Sequence, residues 1–150
     1  MNFARFLLFV AAAGIGLHYW HEHEAAAALS TVMASADANG FVDLPPARGQ
    51  NPDKVYVIAA VNCPHEAARR ADQLAKDLGD EGIPVVRTNN VGFTAAGVDQ
   101  STVDRVRAIL NGPLPIVFVH GRAKSAPSLE DVEAEFKSSN SSAGKDKPQY

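Results

Sequence analysis

Cys63 is the single cysteine of this 150-residue chain, and the residues on both sides of it favour a reactive thiolate. An apolar run of strand length, 55–61, precedes it, and Pro64 opens a helical pattern directly after it. At such a junction a thiol meets unpaired backbone N–H groups and the positive end of the helix dipole, which stabilise its anion. Pro64 suits the first helical position, where a missing N–H costs nothing. The pattern predicts a nucleophilic sulfur at Cys63.

Two neighbours of Cys63 act on the thiol in opposite directions. The carboxylate of Glu66, in the first helical turn, competes for the same positive field and favours the protonated thiol. A protonated or hydrogen-bonded His65 favours the thiolate. The alternative to a reactive role is that Cys63 is a small buried hydrophobic residue.

A different chemistry is suggested by Cys63 and Arg69, which match the Cys-x5-Arg signature of cysteine phosphatases. Such enzymes need a loop whose N–H groups surround an oxyanion. Here Pro64 removes one N–H and Glu66 repels an anion. We therefore interpret Arg69 and Arg70 as a solvated helix face.

The bulk composition excludes several classes of function. A net charge of −3 does not provide the basic surface of a nucleic-acid-binding protein. With one cysteine, the chain forms neither an internal disulfide nor a Cys-x-x-Cys pair. His18, His21 and His23 cluster near the start of the chain, but we interpret them as a polar rim and predict no metal site.

Residues 1–24 have the pattern of a signal peptide or a membrane anchor. Arg5 precedes an apolar run at 6–17, and acidic residues follow it, so the N-terminus is expected in the cytoplasm. The alanines at 25–27 offer a cleavage site, whereas Tyr19 and Trp20 suit the interface of an anchor spanning 3–20. Either alternative makes the body extracytoplasmic: periplasmic and anchored to the inner membrane, or secreted if the leader is cleaved.

The rest of the chain divides into a spacer or linker at 25–52, one domain at 53–137 and a disordered polar tail at 138–150. Apolar runs predict strands at 54–61, 83–87 and 116–119, with a short edge strand at 123–126. Helical spacing predicts a helix at 64–78 that Gly79 and Gly82 end, a second that begins at Ser101, and a third that Ser128 caps. The first three elements form a βαβ unit with parallel strands. The expected core comprises Val57, Val61, Leu74, Val85, Val117, Val119 and Phe136.

This α/β order, β-α-β and then α-β-β-α, resembles the thioredoxin fold, and it is most similar to the glutaredoxin branch. The stretch Asn62-Cys63-Pro64-His65-Glu66 stands where glutaredoxins have Cys-Pro-x-Cys or a single-cysteine variant. Leu114-Pro115, followed by an apolar strand, is similar to their Thr-Val-Pro stretch. The resemblance implies that Pro115 is cis and faces Cys63. It also implies that Pro64, His65, Leu114 and Pro115 bind the substrate.

The resemblance implies monothiol-disulfide exchange at Cys63, with a protein or a low-molecular-weight thiol or disulfide as partner and glutathione as the candidate co-substrate. The chain departs from the family at Glu66, which replaces the second cysteine, and at Ala60, which replaces a lysine. Ser125-Ala126 also replaces a Gly-Gly pair. These departures leave an alternative open: a non-enzymatic binding or assembly module, tethered to the membrane, with an inert cysteine.

Overall fold

The fold is described by a computed structural model for residues 30–45, 47–61, 65–93 and 98–143. It contains five strands: β1 (Val42–Asp43), β2 (Val55–Ile58), β3 (Val85–Thr88), β4 (Ile116–Val119) and β5 (Arg122–Ser125). It also contains three long helices: α1 (Glu66–Asp80), α2 (Gln100–Leu110) and α3 (Leu129–Ala143). Residues 30–33 are helical as well.

The strands form one mixed sheet in the order β1-β5-β4-β2-β3. β2 and β3 are parallel, as the βαβ pattern predicts. β4 runs antiparallel to β2, with Tyr56 opposite Phe118, and β5 runs antiparallel to β4. The two most apolar strands therefore share one sheet, and the prediction of an α/β domain with this order of elements is confirmed.

Alternation along the strands divides the core into two layers. Val55 and Val57 of β2 pack with α1 and α3, whereas Ile58 packs with α2 on the other face. This follows from the two-residue period of a strand, because a continuous apolar run buries both of its faces. Of the expected core, Val61 is an exception: it lies beyond the end of β2 and is 40% exposed.

Helix α1 begins later and ends later than its pattern predicts. His65 is its N-cap residue, and Gly79, expected to end the helix, lies inside it. The helix ends in a Schellman motif, in which Ile83 N–H donates to the Leu78 carbonyl and Gly82 N–H to that of Gly79. Gly82 has a φ of 77°, a conformation that costs a glycine little.

Helix α2 begins earlier than its pattern predicts. Its N-cap is Asp99, whose side chain accepts from Thr102 N–H at 2.7 Å, and not Ser101. Val103 and Leu110 are 39% and 36% exposed, whereas Ala108 and Ile109 are buried and Val106 packs against the core. The cap of α3 is as predicted: Ser128 Oγ accepts from the N–H of Asp131.

Part of the predicted linker belongs to the domain. Phe41 and Val42 are buried in the core, and Val42 pairs with Ala123. β5 is therefore not an edge strand, because β1 covers its outer side. The predicted tail is also corrected: α3 continues to Ala143, and the hydroxyl of Ser141 bonds back to the carbonyl of Lys137.

In the part of the chain that the structure describes, no helix is both long and apolar enough to cross a bilayer. The predicted leader at 1–24 lies outside that part, as do residues 144–150 of the predicted tail.

Candidate functional site

The predicted site residues that the structure describes, His65, Leu114 and Pro115, lie at the N-terminus of α1 and at the start of β4. Cys63 and Pro64 are outside the described residues. His65 is exposed, has extended backbone angles and makes no side-chain cap. Leu114 is partly buried and contacts both core layers, and Pro115 is buried. Leu114 lies close to α1, since its carbonyl accepts a hydrogen bond from Arg70 on that helix.

The peptide bond between Leu114 and Pro115 is cis, as the resemblance implies. The carbonyls of residues 113–115 all accept bonds from within the domain. Pro113 O accepts from Ser125 Oγ, Leu114 O from Arg70 Nη2 at 3.2 Å, and Pro115 O from the N–H of residue 126 at 2.7 Å. Side-chain and backbone donors thus hold this segment against both β5 and α1.

A groove of about 290 Å³ opens beside this segment. The described residues that line it are Arg70, Leu74, Pro113, Pro115, Ala126 and Pro127. Three of them are prolines, which present no N–H donor to the groove. Arg70 is the one charged residue among these lining residues. The described lining of the groove therefore combines apolar walls with one cation.

Arg70 bridges two parts of the site. Its Nη1 donates to Glu66 Oε1 at 3.0 Å, one helical turn earlier, while its Nη2 reaches Leu114 O. Both side chains of the ion pair are exposed, at 54% and 74%, so the pair adds little stability. It does bring a positive charge next to the Glu66 carboxylate in the first turn of α1. Arg69 and Arg70 are both exposed, as the sequence predicts, and Arg70 in addition bonds to Leu114 O.

A second arginine, Arg87, bonds to the backbone directly after the end of β2, a few residues before Cys63 in the sequence. Arg87, on β3, donates to the carbonyls of Ala59 and Ala60, each at 2.8 Å, and to Asp72 on α1 at 2.8 Å. Its side chain is only 17% exposed. The carbonyls of residues leaving a sheet lose their ladder partners, and Arg87 satisfies them. The sequence offered no local signal for this role, because the contacts join residues far apart in the chain.

A third arginine forms a charged cluster between β5, α3 and residues 37–43. Arg122 bonds to Asp37, Asp43 and the fully buried Glu135. Glu135 also accepts from the side chain of Asn39 at 3.0 Å. This Arg122 cluster fastens the segment before β2 to the domain, and none of its members was predicted as functional.

The cluster shifts the pKa values of two of its members. Burial tends to raise the pKa of Asp37, but bonds from the N–H groups of Phe41 and Asn39, a hydrogen bond with Glu135 and the charge of Arg122 outweigh it. The pKa of Asp37 therefore lies below its ordinary 3.8. Burial opposes the charge of Arg122, yet hydrogen bonds with Asp43 and Glu135 raise its pKa.

Among the described residues, no group of three or more histidine, cysteine or acidic side chains is arranged to hold a metal ion. The three N-terminal histidines lie outside these residues. In comparisons with known proteins, no family model, no curated protein and no solved structure matches this chain.

Proposed function

We propose that this chain is a thioredoxin-like protein, most similar to glutaredoxins, that carries out monothiol-disulfide exchange at Cys63. The observation that carries the proposal is the groove between α1 and residues 113–115. Pro115 lines this groove, and α1 begins three residues after Cys63 in the sequence. On α1 the groove is lined by Arg70 and Leu74, which lie one and two turns after Glu66, the first residue of that helix.

The chemistry needs one protein thiol and one external thiol. The Cys63 thiolate attacks one sulfur of a disulfide, a new S–S bond forms, and the other sulfur leaves as a thiolate with the bonding electrons. An external thiol, glutathione or another low-molecular-weight thiol, then attacks the mixed disulfide and releases Cys63. No second cysteine takes part, because the chain has only one.

The order of elements supports the thioredoxin-like assignment. From β2 to α3 it is β-α-β-α-β-β-α, in which the first two strands are parallel and the last two antiparallel. Leu114 and Pro115 precede the third of these strands, and α1 follows the first, so both come to the same end of the sheet. The Arg70 contact with Leu114 O supports this placement, because it joins the two elements directly.

We also propose that the protein acts outside the cytoplasm, either anchored to the inner membrane through residues 3–20 or secreted. The support is the charge asymmetry around the apolar run at 6–17. A reporter fused after Gln50 should be active only outside the cytoplasm, and cytoplasmic activity contradicts this proposal. The mass of the mature protein distinguishes a cleaved leader from an anchor.

Alkylation of the folded protein tests the reactive thiol. Iodoacetamide should label Cys63 within minutes, with a midpoint of the rate against pH below the roughly 8.5 of a free cysteine. Glu66→Gln should speed the reaction, because it removes a negative charge near the helix N-terminus. Cys63→Ser is the blank. A folded protein that resists labelling for hours refutes the exchange mechanism.

The alternative is a non-enzymatic binding or assembly module with an inert cysteine. The apolar, proline-rich walls of the groove favour this alternative, because they suit an extended apolar segment without requiring a thiol. Affinity capture with wild type and Cys63→Ser distinguishes the two. A binding module retains its partner in both proteins, whereas an exchange enzyme loses its mixed-disulfide partner in the serine variant.

A further inference from the structure

A second cavity, of about 320 Å³, lies on the opposite face of the sheet from α1. The strand residues that line it are Tyr56 on β2 and Val86 and Thr88 on β3. Tyr56 packs with the core layer of α2, whereas Leu74 of the groove belongs to the layer of α1. The cavity and the groove share no described lining residue, so a ligand of the cavity does not depend on the groove.

A turn at 47–50 forms one side of the cavity and is held in place by its backbone. The first carbonyl of the turn accepts from its last N–H at 3.3 Å, and Gly49 has a φ of 75°, as in a type II turn. The N–H of Arg48 donates to the carbonyl of Gly92 at 2.7 Å, across the cavity lining. The position of Arg48 is therefore fixed by the backbone, while its side chain is exposed.

The polar side chains of the cavity have unused hydrogen-bond donors. The Tyr56 hydroxyl accepts from the N–H of Asn51 at 2.7 Å and keeps its own proton to donate. The guanidinium of Arg48 and the side-chain amide of Asn90 form no hydrogen bond or ion pair with the described residues. No acidic side chain is among the described lining residues. One cation and neutral donors, with no carboxylate to neutralise them, suit an anionic ligand.

The apolar walls indicate which kind of anion fits. Val86, Val91 and the ring of Tyr56 are partly buried and line the cavity. A guanidinium binds a planar carboxylate through two parallel N–H···O bonds. Apolar walls, in contrast, do not replace the water that a small inorganic anion loses. The volume lies at the lower end of the range for small-molecule sites, which begins at about 300 Å³.

We propose that this cavity binds a small organic carboxylate with an apolar body. The guanidinium of Arg48 and the hydroxyl of Tyr56 hold the carboxylate, and the side chains of Val86 and Val91 contact the apolar body. This binding site goes beyond the exchange proposed at Cys63 and requires neither the thiol nor the groove.

NMR titration with benzoate tests the site. Benzoate should shift the backbone amide resonances of residues 48–50 and 88–92 saturably, with a dissociation constant of about 1 mM, a modest affinity for a ligand of this size. Benzamide has the same ring without the charge, and inorganic phosphate has the charge without the ring. At constant ionic strength, each should bind at least about 10-fold more weakly than benzoate.

Variants of the two donors assign the contacts. Arg48→Gln should weaken benzoate binding about 10- to 100-fold, the factor for a hydrogen bond between charged groups. Because Arg48 is exposed, the variant should keep the fold, which unshifted resonances elsewhere verify. Arg69→Gln is the matched control: it removes an exposed arginine from α1 and should leave binding unchanged. Tyr56→Phe keeps the ring and should weaken binding about 2- to 10-fold.

Three results overturn the inference: no saturable shift of these resonances with benzoate, equal binding of benzamide or phosphate, or the same affinity in Arg48→Gln as in wild type. An equal loss in Arg69→Gln also overturns it, because the effect then follows net charge and not the cavity. None of these results bears on the exchange reaction, which the alkylation of Cys63 tests separately.

Discussion

The Arg122 cluster and the Arg70 bridge are both built around an arginine, but the two arginines differ in burial and in their partners. Arg122 is 30% exposed and bonds to three carboxylates, one of them on the fully buried Glu135. Arg70 is 54% exposed and bonds to one exposed carboxylate and one carbonyl. A buried ion pair is costly to break, whereas an exposed one exchanges readily with water. The contrast indicates that the cluster contributes to the stability of the fold, whereas the bridge breaks at little cost.

Loss of Arg122 should have the largest effect. Arg122→Ala leaves the Glu135 carboxylate buried without its cation, and the free energy of unfolding should fall by about 3–5 kcal/mol. Urea denaturation measures it. Lys137→Ala is the control. It breaks the exposed pair with Glu133 on α3, the helix that carries Glu135, and should cause no measurable loss of stability. Equal stability of the two variants contradicts the contrast between buried and exposed pairs.

Leu74 belongs to the hydrophobic core and also lines the groove. Leu74→Ala should lower the free energy of unfolding by about 2–5 kcal/mol, because the side chain is only 8% exposed. Val103→Ala, at a residue that is 39% exposed, should change it by less than about 0.5 kcal/mol. Denaturation curves of both variants measure the difference, and a smaller loss for Leu74→Ala than for Val103→Ala contradicts the assigned packing.

The strands and helices could be predicted from the sequence, whereas the contacts between charged side chains could not. Strands and helices follow from short-range apolar periods, and Pro115 and Ser128 have local signals that the structure bears out. The pairing of Asn39 with Glu135, 96 residues apart, has none. β1 was hidden for a related reason: it has two residues, and the nearby prolines and glycines are typical of a linker.

The same limit applies to the candidate site. Leu114 and Pro115 come next to each other in a recognisable motif, and the groove lies beside them. Arg70 and Arg87 act on backbone carbonyls that no sequence pattern specifies. The sequence therefore predicts that Arg70 is exposed but not that it bonds to Leu114, because this contact depends on the tertiary fold.

Acid should weaken the Arg122 cluster. The folded pKa of Asp37 is lower than its ordinary 3.8, so its contribution to stability is complete above that pH and is lost as pH falls through the folded value. We expect the urea midpoint to decline as pH drops below 3.8. Asp37→Asn should make this decline shallower, and the exposed Asp53→Asn should not. Parallel declines in Asp37→Asn and wild type rule out this role.

Removal of the bridge should have the smallest effect on stability. Arg70→Ala breaks an exposed ion pair and one bond to a carbonyl, and the free energy of unfolding should change by less than about 0.5 kcal/mol. Thermal denaturation by circular dichroism measures the change. A loss comparable with that of Arg122→Ala makes the bridge a structural clamp and removes the contrast between the two arginines.

The docking of residues 37–43 has a mechanical consequence. A pull on the chain ahead of residue 30 meets first the contacts of Val32, Met33 and Ala36 with the core, and then the attachment of residues 37–43. β1 pairs with β5 over two residues, so the ladder bears little of the load. The load is shared by the buried side chains of Phe41 and Val42 and by Arg122, which bonds to Asp37 and to Glu135 on α3. Since salt screens partly buried pairs less than exposed ones, this attachment should keep its strength at high ionic strength.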